Sequence, residues 1–316
     1  MNDRIRLRLT PAAPSRRDKA ITFHKIFAAL SGLLMLAGCS GAQIINAITP
    51  QHGYQRARDI SFGDHGLKLD VYTPTAATAA PLIVFFYGGS WEASETLDKS
   101  QYKFVGQALA EQGYVVVIPE YRVYPQVKYP EFLDDSAQAV KWAHDHAAEY
   151  GADPGKLVLM GHSAGAYNAA MLALDPVYLQ AAGVNRAWVR GMIGLAGPYD
   201  FLPITDPILQ TIFGPADQWP LTQPIHYVDG RQPPMLLIAG DDDNIVYVKN
   251  TRNLYRRIIE SGGKAKEVIY PGLGHIQIVA RLSTWLPGHA NLMMQITEFV
   301  DAVTAAAAPA KDLTAK

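Results

Sequence analysis

The amino-acid sequence predicts an α/β fold in which a mostly parallel central sheet is covered by helices on both faces. Short apolar runs alternate along the chain with longer segments of helical periodicity. Several runs, such as residues 82–87 and 157–160, are apolar almost throughout, which is typical of strands buried on both sides. Parallel strands need crossover connections, and helical segments stand between most of these runs.

The predicted elements follow one another in a regular order. Strands are expected at residues 57–62, 67–72, 82–87, 114–119, 157–160, 189–195, 235–239 and 265–270. Helices are expected at residues 99–112, 131–150, 166–174, 248–261 and 292–303.

The domain organisation is predicted to be simple. Of the 316 residues, 56–304 are expected to form one α/β domain, and a hydrophobic content of 49% is enough for a large core. Residues 200–230 are rich in proline and aromatic residues without clear periodicity, which predicts a small cap segment over a site. Residues 39–55 are interpreted as a linker and 305–316 as a disordered tail.

The overall charge excludes some classes of partner. Lys and Arg number 28 against 29 Asp and Glu, a balance that does not predict binding to nucleic acid. The chain has one cysteine and no spacing of Cys and His typical of zinc sites, so neither a metal nor a cofactor is expected. The expected partner is a small-molecule substrate.

The N-terminal segment has the pattern of an export signal. Basic residues precede an apolar run at residues 26–38, which is too short to span a bilayer comfortably and ends in Leu-Ala-Gly-Cys39. This ending resembles the bacterial lipobox, which implies a lipoprotein-type signal peptide at 1–38 and a bilayer anchor through acylated Cys39. Ser40 implies, by the same resemblance, the periplasmic face of the outer membrane. The alternative is an ordinary signal peptide and a soluble periplasmic or secreted protein.

Residues 157–174 contain the pattern of a nucleophile on a sharp turn. A buried strand leads into Gly161-His162-Ser163-Ala164-Gly165, and an alanine-rich helical segment follows. The turn is expected to hold Ser163 in a strained backbone conformation, and a Cβ at either glycine is expected to collide with the neighbouring strand or helix. His162 is expected to point away from the serine.

Two later loops supply an acid and a histidine. The strand at 235–239 is followed by three consecutive acids, Asp241, Asp242 and Asp243, and the strand at 265–270 by a glycine-rich loop that ends in His275. Catalytic groups in such folds lie at the carboxyl ends of the strands. The order along the chain is therefore Ser163, one of the acids and His275, with His289 a weaker second candidate.

Four motifs together resemble a known family. They are Tyr87-Gly88-Gly89-Ser90-Trp91, Tyr121-Arg122-Val123-Tyr124-Pro125, the pentapeptide around Ser163, and the acid and histidine loops. With them, residues 56–303 resemble α/β hydrolases of the carboxylesterase branch, which includes hormone-sensitive-lipase-like and kynurenine-formamidase-like enzymes. The first two motifs are also similar to those of prenylcysteine methylesterases.

This resemblance implies an α/β-hydrolase fold and a set of site residues. The family's Gly-x-x-Asp-x-x-Val pattern selects Asp243 as the acid. The family's oxyanion motif, His-Gly-Gly-x-Trp, has Tyr87 here in place of its histidine. Because that substitution removes no backbone donor, Gly89, Ser90 and Ala164 are expected to supply the N–H groups of the oxyanion hole.

Other residues near these motifs have open interpretations. Arg122 is expected to brace loops by hydrogen bonds to carbonyl groups. Five aromatic residues are expected either to line a substrate pocket or to belong to the core: Trp91, Tyr124, Phe201, Phe213 and Trp219.

The predicted function is that of a serine hydrolase that cleaves carboxylic esters through an acyl-enzyme intermediate. An arylformamidase or a methylesterase with the same triad remains open, because the triad does not separate these substrates. A non-catalytic, surface-anchored binding protein on a hydrolase scaffold is the alternative from another class. A peptidase of the prolyl-oligopeptidase kind is disfavoured, because those enzymes carry a large N-terminal domain that has no room here between Cys39 and the first strand.

Overall fold

The computed structural model describes residues 45–46, 49, 52–94 and 98–305. The predicted signal peptide at 1–38, Cys39, most of the predicted linker and residues 306–316 of the predicted tail lie outside the described residues. Within the described part of the chain, no helix is both long enough and apolar enough to cross a bilayer.

Eight strands form one sheet in the order β1-β2-β4-β3-β5-β6-β7-β8. In chain order they are β1 (Tyr54–Phe62), β2 (Leu67–Pro74), β3 (Ala80–Phe86), β4 (Val115–Pro119), β5 (Ala152–His162), β6 (Val189–Leu195), β7 (Met235–Gly240) and β8 (Ala265–Tyr270). Strand β2 pairs antiparallel with both β1 and β4, whereas every other pair is parallel. The prediction of a mostly parallel sheet is confirmed.

The α-helices connect and cover the strands. In chain order they are α1 (Lys103–Glu111), α2 (Glu131–Asp145), α3 (Ala164–Leu174), α4 (Pro176–Ala181), α5 (Pro207–Phe213), α6 (Lys249–Glu260), α7 (His275–Ala280) and α8 (His289–Ala305). Short 3₁₀ helices lie at Lys99–Tyr102, Ala147–Tyr150, Arg186–Trp188, Trp219–Thr222 and Pro224–Tyr227.

The predicted strands and helices are all present, with different ends in several cases. Strand β1 begins at Tyr54, inside the predicted linker, and β5 begins at Ala152, five residues before the apolar run. Helices α4, α5 and α7 were not predicted, because each is only six or seven residues long and carries too few residues to show a helical period.

The central strands are covered on both faces. Every residue of β4 and of β7 is buried, so side chains that point to opposite faces are equally shielded from water. Helix α3 is also buried at every position, as its run of alanine and other apolar residues permits. Helices α3 and α8 both pack against β5 and β6.

Parallel pairing decides where the loops of interest lie. Strands β5, β6, β7 and β8 are consecutive neighbours in the sheet and run in one direction. Their carboxyl ends therefore lie along a single edge. The turn after β5, the loop after β7 and the loop after β8 meet at this edge.

Candidate active site

The turn after β5 has the strained geometry that its sequence predicts. Ser163 has φ 55° and ψ −125°, a region that residues with a side chain rarely adopt. A Cβ on Gly161 would lie 2.2 Å from the carbonyl oxygen of Gly165, and a Cβ on Gly165 would lie 2.1 Å from that of Phe86. Both contacts are closer than real Cβ atoms approach, so the turn is confined between α3 and β3 and only glycine fits on either side of Ser163.

Ser163, His275 and Asp243 form a continuous hydrogen-bonded chain. The Ser163 Oγ lies 2.8 Å from His275 Nε2, and His275 Nδ1 lies 2.8 Å from Asp243 Oδ2. The three side chains are almost fully buried. The geometry assigns the donors, because a carboxylate can only accept: Nδ1 carries the proton, and Nε2 is free to accept the serine proton.

Asp243 is held in its ionised form. Burial by itself opposes ionisation, but the hydrogen bond from His275 and the electrostatic attraction of its ring outweigh that cost. The other oxygen, Oδ1, accepts from the backbone N–H groups of Ile245 and Val246 at 3.0 and 2.8 Å. Together these donors keep the pKa of the Asp243 carboxyl below its ordinary value.

Backbone contacts join the acid loop to the histidine loop. The Gly272 N–H donates to Asp241 Oδ1 at 2.6 Å, and the Asp242 N–H donates to the Leu273 carbonyl at 3.1 Å. His275 follows the glycine-rich loop after β8 and is the first residue of α7. These contacts fix the distance between Asp243 and His275.

The loop after β3 is also strained, over three consecutive residues. Gly89, Ser90 and Trp91 have φ values of 144°, 53° and 57°. Ser90 and Ala164 line one cavity with Ser163, whereas Gly89 lines a different cavity. Ala164 is the first residue of α3, where backbone N–H groups have no acceptor within the helix. The assignment of Gly89, Ser90 and Ala164 to an oxyanion hole stays a prediction.

Tyr87, which stands where the resembling family has histidine, is buried in a tyrosine cluster. Its ring stacks on Tyr121 at 4.9 Å and lies 5.9 Å from the ring of Tyr102. The hydroxyl of Tyr121 donates to the Tyr87 carbonyl at 2.7 Å. Tyr87 thus supports the start of the loop through ring packing and its own carbonyl group.

A cavity of about 450 Å³ opens beside Ser163 and is called the serine cavity below. Its walls are mostly apolar and include Trp91 and Phe201, two of the five aromatic residues whose role was left open. Residues 200–230, which the sequence predicts to be a cap segment, contribute Leu202, Ile204 and Leu209, and the stretch after Asp243 contributes Ile245, Val246 and Tyr247. Phe213 instead packs edge-on against Trp91 at 4.9 Å, behind this wall.

The expectation that Arg122 bonds carbonyl groups is wrong. Its guanidinium forms a two-point ion pair with Asp135 of α2, with Nη2 2.8 Å from Oδ1 and Nε 2.8 Å from Oδ2. The expected bonds to carbonyl groups are replaced by a carboxylate that is itself buried, since a buried carboxylate needs a charged partner. Arg122 still serves to tie its loop to α2.

Two supporting contacts were missed from the sequence. The indole N–H of Trp91 donates to Asn168 Oδ1 at 3.0 Å, and Asn168 in turn bonds Ser136. The hydroxyl of Tyr102 lies 3.1 Å from His162 Nδ1. Each contact joins residues at least 60 positions apart, and no local pattern marks such pairs.

The described part of the chain has no candidate metal centre, and the second histidine candidate, His289, bonds a backbone carbonyl rather than the serine. No group of three or more His, Cys, Asp or Glu side chains there is arranged to hold a metal ion. His289 lies at the start of α8, where its Nδ1 is 3.2 Å from the carbonyl of Arg281. His275, rather than His289, contacts the serine.

Comparison with known proteins identifies relatives with esterase names. A probable isoprenylcysteine alpha-carbonyl methylesterase from Arabidopsis thaliana is 27% identical over 70% of this chain and 51% of its own length. The esterase LipC of Mycobacterium tuberculosis is 27% identical over 82% of this chain and 71% of its own. The chain spans just over half the length of the first curated relatives that it matches.

Solved structures support the fold. A truncated carbohydrate esterase from gut microbiota superimposes with a TM-score of 0.70 at 22% identity, over 81% of this chain and 99% of the other. A thermostable carboxylesterase cloned from a metagenomic library gives a TM-score of 0.69 at 18% identity, over 84% and 93%. The α/β-hydrolase fold that the motifs imply is confirmed.

The family follows from the sequence match. The family model named BD-FAE matches residues 69–258, which is more than half of the chain and includes Ser163 and Asp243. The chain therefore belongs to the BD-FAE family.

Proposed function

We propose that this protein is a serine carboxylesterase that works through an acyl-enzyme intermediate. The observation that carries the proposal is the buried chain of two 2.8 Å contacts from Ser163 through His275 to Asp243. The esterase names of its relatives support the same reaction class.

Acylation follows from the positions of these atoms. His275 Nε2 takes the proton of the Ser163 hydroxyl as Oγ forms a bond to the ester carbonyl carbon. Asp243 keeps Nδ1 protonated and stabilises the imidazolium that results. The bond between the carbonyl carbon and the alcohol oxygen then breaks, and His275 returns the proton to the departing alcohol.

The oxyanion is stabilised by backbone groups. The N–H groups of Gly89, Ser90 and Ala164 are the proposed donors, because the loop and the first turn of α3 both border Ser163. Donors fixed in a buried site stabilise developing charge without having to reorient. The positive end of α3 adds to the effect.

Deacylation uses the same residues in reverse. A water molecule loses its proton to His275 Nε2 as its oxygen attacks the acyl carbonyl. The bond to Ser163 Oγ breaks, the serine recovers the proton, and the carboxylic acid leaves. The serine cavity, with its apolar walls and volume of about 450 Å³, fits an apolar acyl group better than a charged one.

Substitution of the nucleophile tests this proposal. Ser163→Ala is expected to abolish hydrolysis of short-chain p-nitrophenyl esters and labelling by a fluorophosphonate probe, with an unchanged circular dichroism spectrum. Ser261→Ala, at the end of α6 and away from the serine cavity, is the matched control and keeps both activities. Undiminished turnover in Ser163→Ala would overturn the assignment.

An arylformamidase or a methylesterase with the same triad is the second candidate. Among the curated relatives are the plant methylesterases and a kynurenine formamidase from Drosophila melanogaster, 23% identical over 73% of this chain and 81% of its own length. A panel of p-nitrophenyl esters, methyl esters and N-formyl anilides, compared by kcat/KM, ranks these substrates. A non-catalytic binding protein is excluded if the fluorophosphonate probe labels the wild type.

We also propose that the protein is tethered to the envelope membrane, on its periplasmic side, through acylated Cys39. The support is the apolar run at 26–38 and the Leu-Ala-Gly-Cys sequence at its end. Radiolabelled palmitate is expected to label the wild type, and Cys39→Ala is expected to lose the label and leave the membrane fraction. An unlabelled wild type in the soluble fraction would favour an ordinary signal peptide.

A further inference from the structure

His162 precedes the nucleophile and has no role in the proposed reaction, yet it is buried with both ring nitrogens in contact. Nδ1 lies 3.1 Å from the hydroxyl oxygen of Tyr102. Nε2 lies 3.3 Å from the backbone carbonyl oxygen of His275. The side chain thus bridges a residue of the Lys99–Tyr102 turn and the backbone of the general base.

Hydrogen-bond chemistry assigns the protons of this bridge. The carbonyl of His275 can only accept, so Nε2 of His162 carries the proton. The hydroxyl oxygen of Tyr102 accepts from the Gly88 N–H at 3.3 Å, which leaves the hydroxyl proton to donate to His162 Nδ1. The resulting chain runs from Gly88 through Tyr102 and His162 to His275.

Both side chains in the middle of this chain stay neutral near pH 7. Burial, with the neighbouring ring of His275, lowers the pKa of His162 to about 3. Burial raises the pKa of the Tyr102 hydroxyl to about 12. Each side chain therefore keeps the proton that its hydrogen bond requires.

The two ends of this hydrogen-bonded chain, Gly88 and His275, both lie beside Ser163. Gly88 directly precedes the proposed oxyanion donors, and a Cβ on it would lie 2.9 Å from Ser163 Cβ and 3.2 Å from His162 Nδ1. At the other end, the rings of His162 and His275 are 4.9 Å apart. The loop at Gly88, the serine and His275 thus lie close together around the buried ring of His162.

We propose that Tyr102 and His162 are positioning residues that hold the oxyanion loop and the backbone of His275 at a fixed separation across Ser163. This inference rests on the proposed function. The base acts on the serine proton while the loop donors act on the developing oxyanion, so both must be in place in the same transition state. Loss of a bridge between them is therefore expected to lower kcat. Loss of a purely structural hydrogen bond is expected to lower only the free energy of unfolding.

Tyr102→Phe is the principal test, because it removes one hydroxyl and keeps the ring packing. The expected result is a fall in kcat of about 10- to 100-fold on a p-nitrophenyl ester, with KM changed less than about twofold. The rate of fluorophosphonate labelling is expected to fall in parallel. Tyr178→Phe is the control: that side chain is also largely buried and its hydroxyl bonds Tyr129, but it does not line the serine cavity. Its kcat is expected to stay within about twofold of the wild type, even where its stability falls.

His162→Phe and the double variant with Tyr102→Phe complete the test. If the two residues act as one bridge, the kcat of the double variant equals that of the less active single variant. Each single change already breaks the hydrogen-bonded chain. Independent, multiplicative losses would overturn the inference, as would a Tyr102→Phe enzyme with the kcat of its control. Tyr102→Phe decides the matter alone if His162→Phe does not fold.

The wild type and Ser163→Ala, assayed beside these variants, separate the two proposals. A wild type without activity on any ester overturns the proposed function, and the inference with it. A wild type that is active, with an inactive Ser163→Ala and a fully active Tyr102→Phe, overturns the inference alone.

Discussion

Two cavities of similar volume lie at opposite ends of the parallel strands, and one of them lies beside the serine. The serine cavity, of about 450 Å³, lies at the carboxyl ends. A second cavity of about 510 Å³, here called the basal cavity, lies where β6, β7 and β8 begin, and is lined by Val189, Met235, Lys264, Lys266 and Phe299 among others. Volume alone does not indicate where the chemistry takes place.

The difference lies in what surrounds each cavity. Three residues that line the serine cavity, Ser90, Trp91 and Ser163, have positive φ values although none is glycine, and no described residue lining the basal cavity does. The serine cavity borders buried ionisable groups in mutual contact, whereas Lys264 and Lys266 are exposed. Strain and buried charge persist only where the surrounding structure enforces them, which makes the carboxyl edge the candidate site.

The largest expected effect on kcat distinguishes Asp243 from its neighbour Asp242 in the same loop. Asp243→Asn is expected to lower kcat roughly 10⁴-fold, because the amide no longer holds His275 Nδ1 protonated and Nε2 free. Asp242→Asn, an exposed neighbour, is expected to stay within about twofold of the wild type. Steady-state kinetics on one ester checks both, and equal losses would show that the loop as a whole matters rather than this carboxylate.

The next prediction concerns the free energy of unfolding at acid pH. The pKa of His162 is about 3 in the folded chain, against an ordinary value of 6.5 that applies to the unfolded chain. The stabilisation that depends on neutral His162 is therefore complete above pH 6.5. It is lost as the pH falls towards 3. The expected slope in that window is up to ~1.4 kcal/mol per pH unit from this residue. The depressed pKa of Asp243 adds to the loss below pH 3.8. Urea unfolding at pH 7, 6, 5 and 4 measures the slope, which His162→Phe is expected to reduce; equal slopes would contradict it.

A smaller effect tests whether the serine cavity holds the acyl group. Leu209→Trp is expected to lower kcat/KM roughly tenfold for long-chain p-nitrophenyl esters and to leave the acetate ester unchanged, because the larger ring fills the wall of the cavity. The control is Ile208→Trp on the same helix, where the side chain is 41% exposed and does not line the cavity. If both esters respond equally to Leu209→Trp, the acyl group binds elsewhere.

The smallest expected effect concerns the basal cavity. Lys264→Ala is expected to leave kcat/KM within about twofold, since the side chain lies at the opposite ends of the strands from Ser163. Initial rates on two esters of different chain length are sufficient to check this. A tenfold loss of kcat/KM would show that the basal cavity also affects the reaction.

Much of the site could be predicted because its signals are local. The glycines around Ser163 are needed within one turn, and a Cβ at Gly161 or Gly165 would collide as the pattern indicates. The order of Ser163, Asp243 and His275, each just after an apolar run, places all three at one edge once the strands are parallel. The roles of these residues stay proposals until they are tested.

Other features could not be predicted because they depend on distant partners. Arg122 pairs with Asp135 rather than with carbonyl groups, since α2 brings that carboxylate within reach. Of the five open aromatic residues, Trp91 and Phe201 line the serine cavity, because residues 201–209 lie beside the strained loop. Helices α4, α5 and α7 were missed because each is too short to show a helical period.

The sequence by itself determined the fold class, the approximate strand positions and the strained turn at Ser163, because apolar runs and flanking glycines act through neighbours along the chain. Only the tertiary structure decided that His162 joins Tyr102 to the backbone of His275, and that a second cavity of similar volume lies away from the serine. The physical reason is that burial, hydrogen-bond partners and cavity walls arise from residues far apart in the chain, which meet only after the sheet has formed.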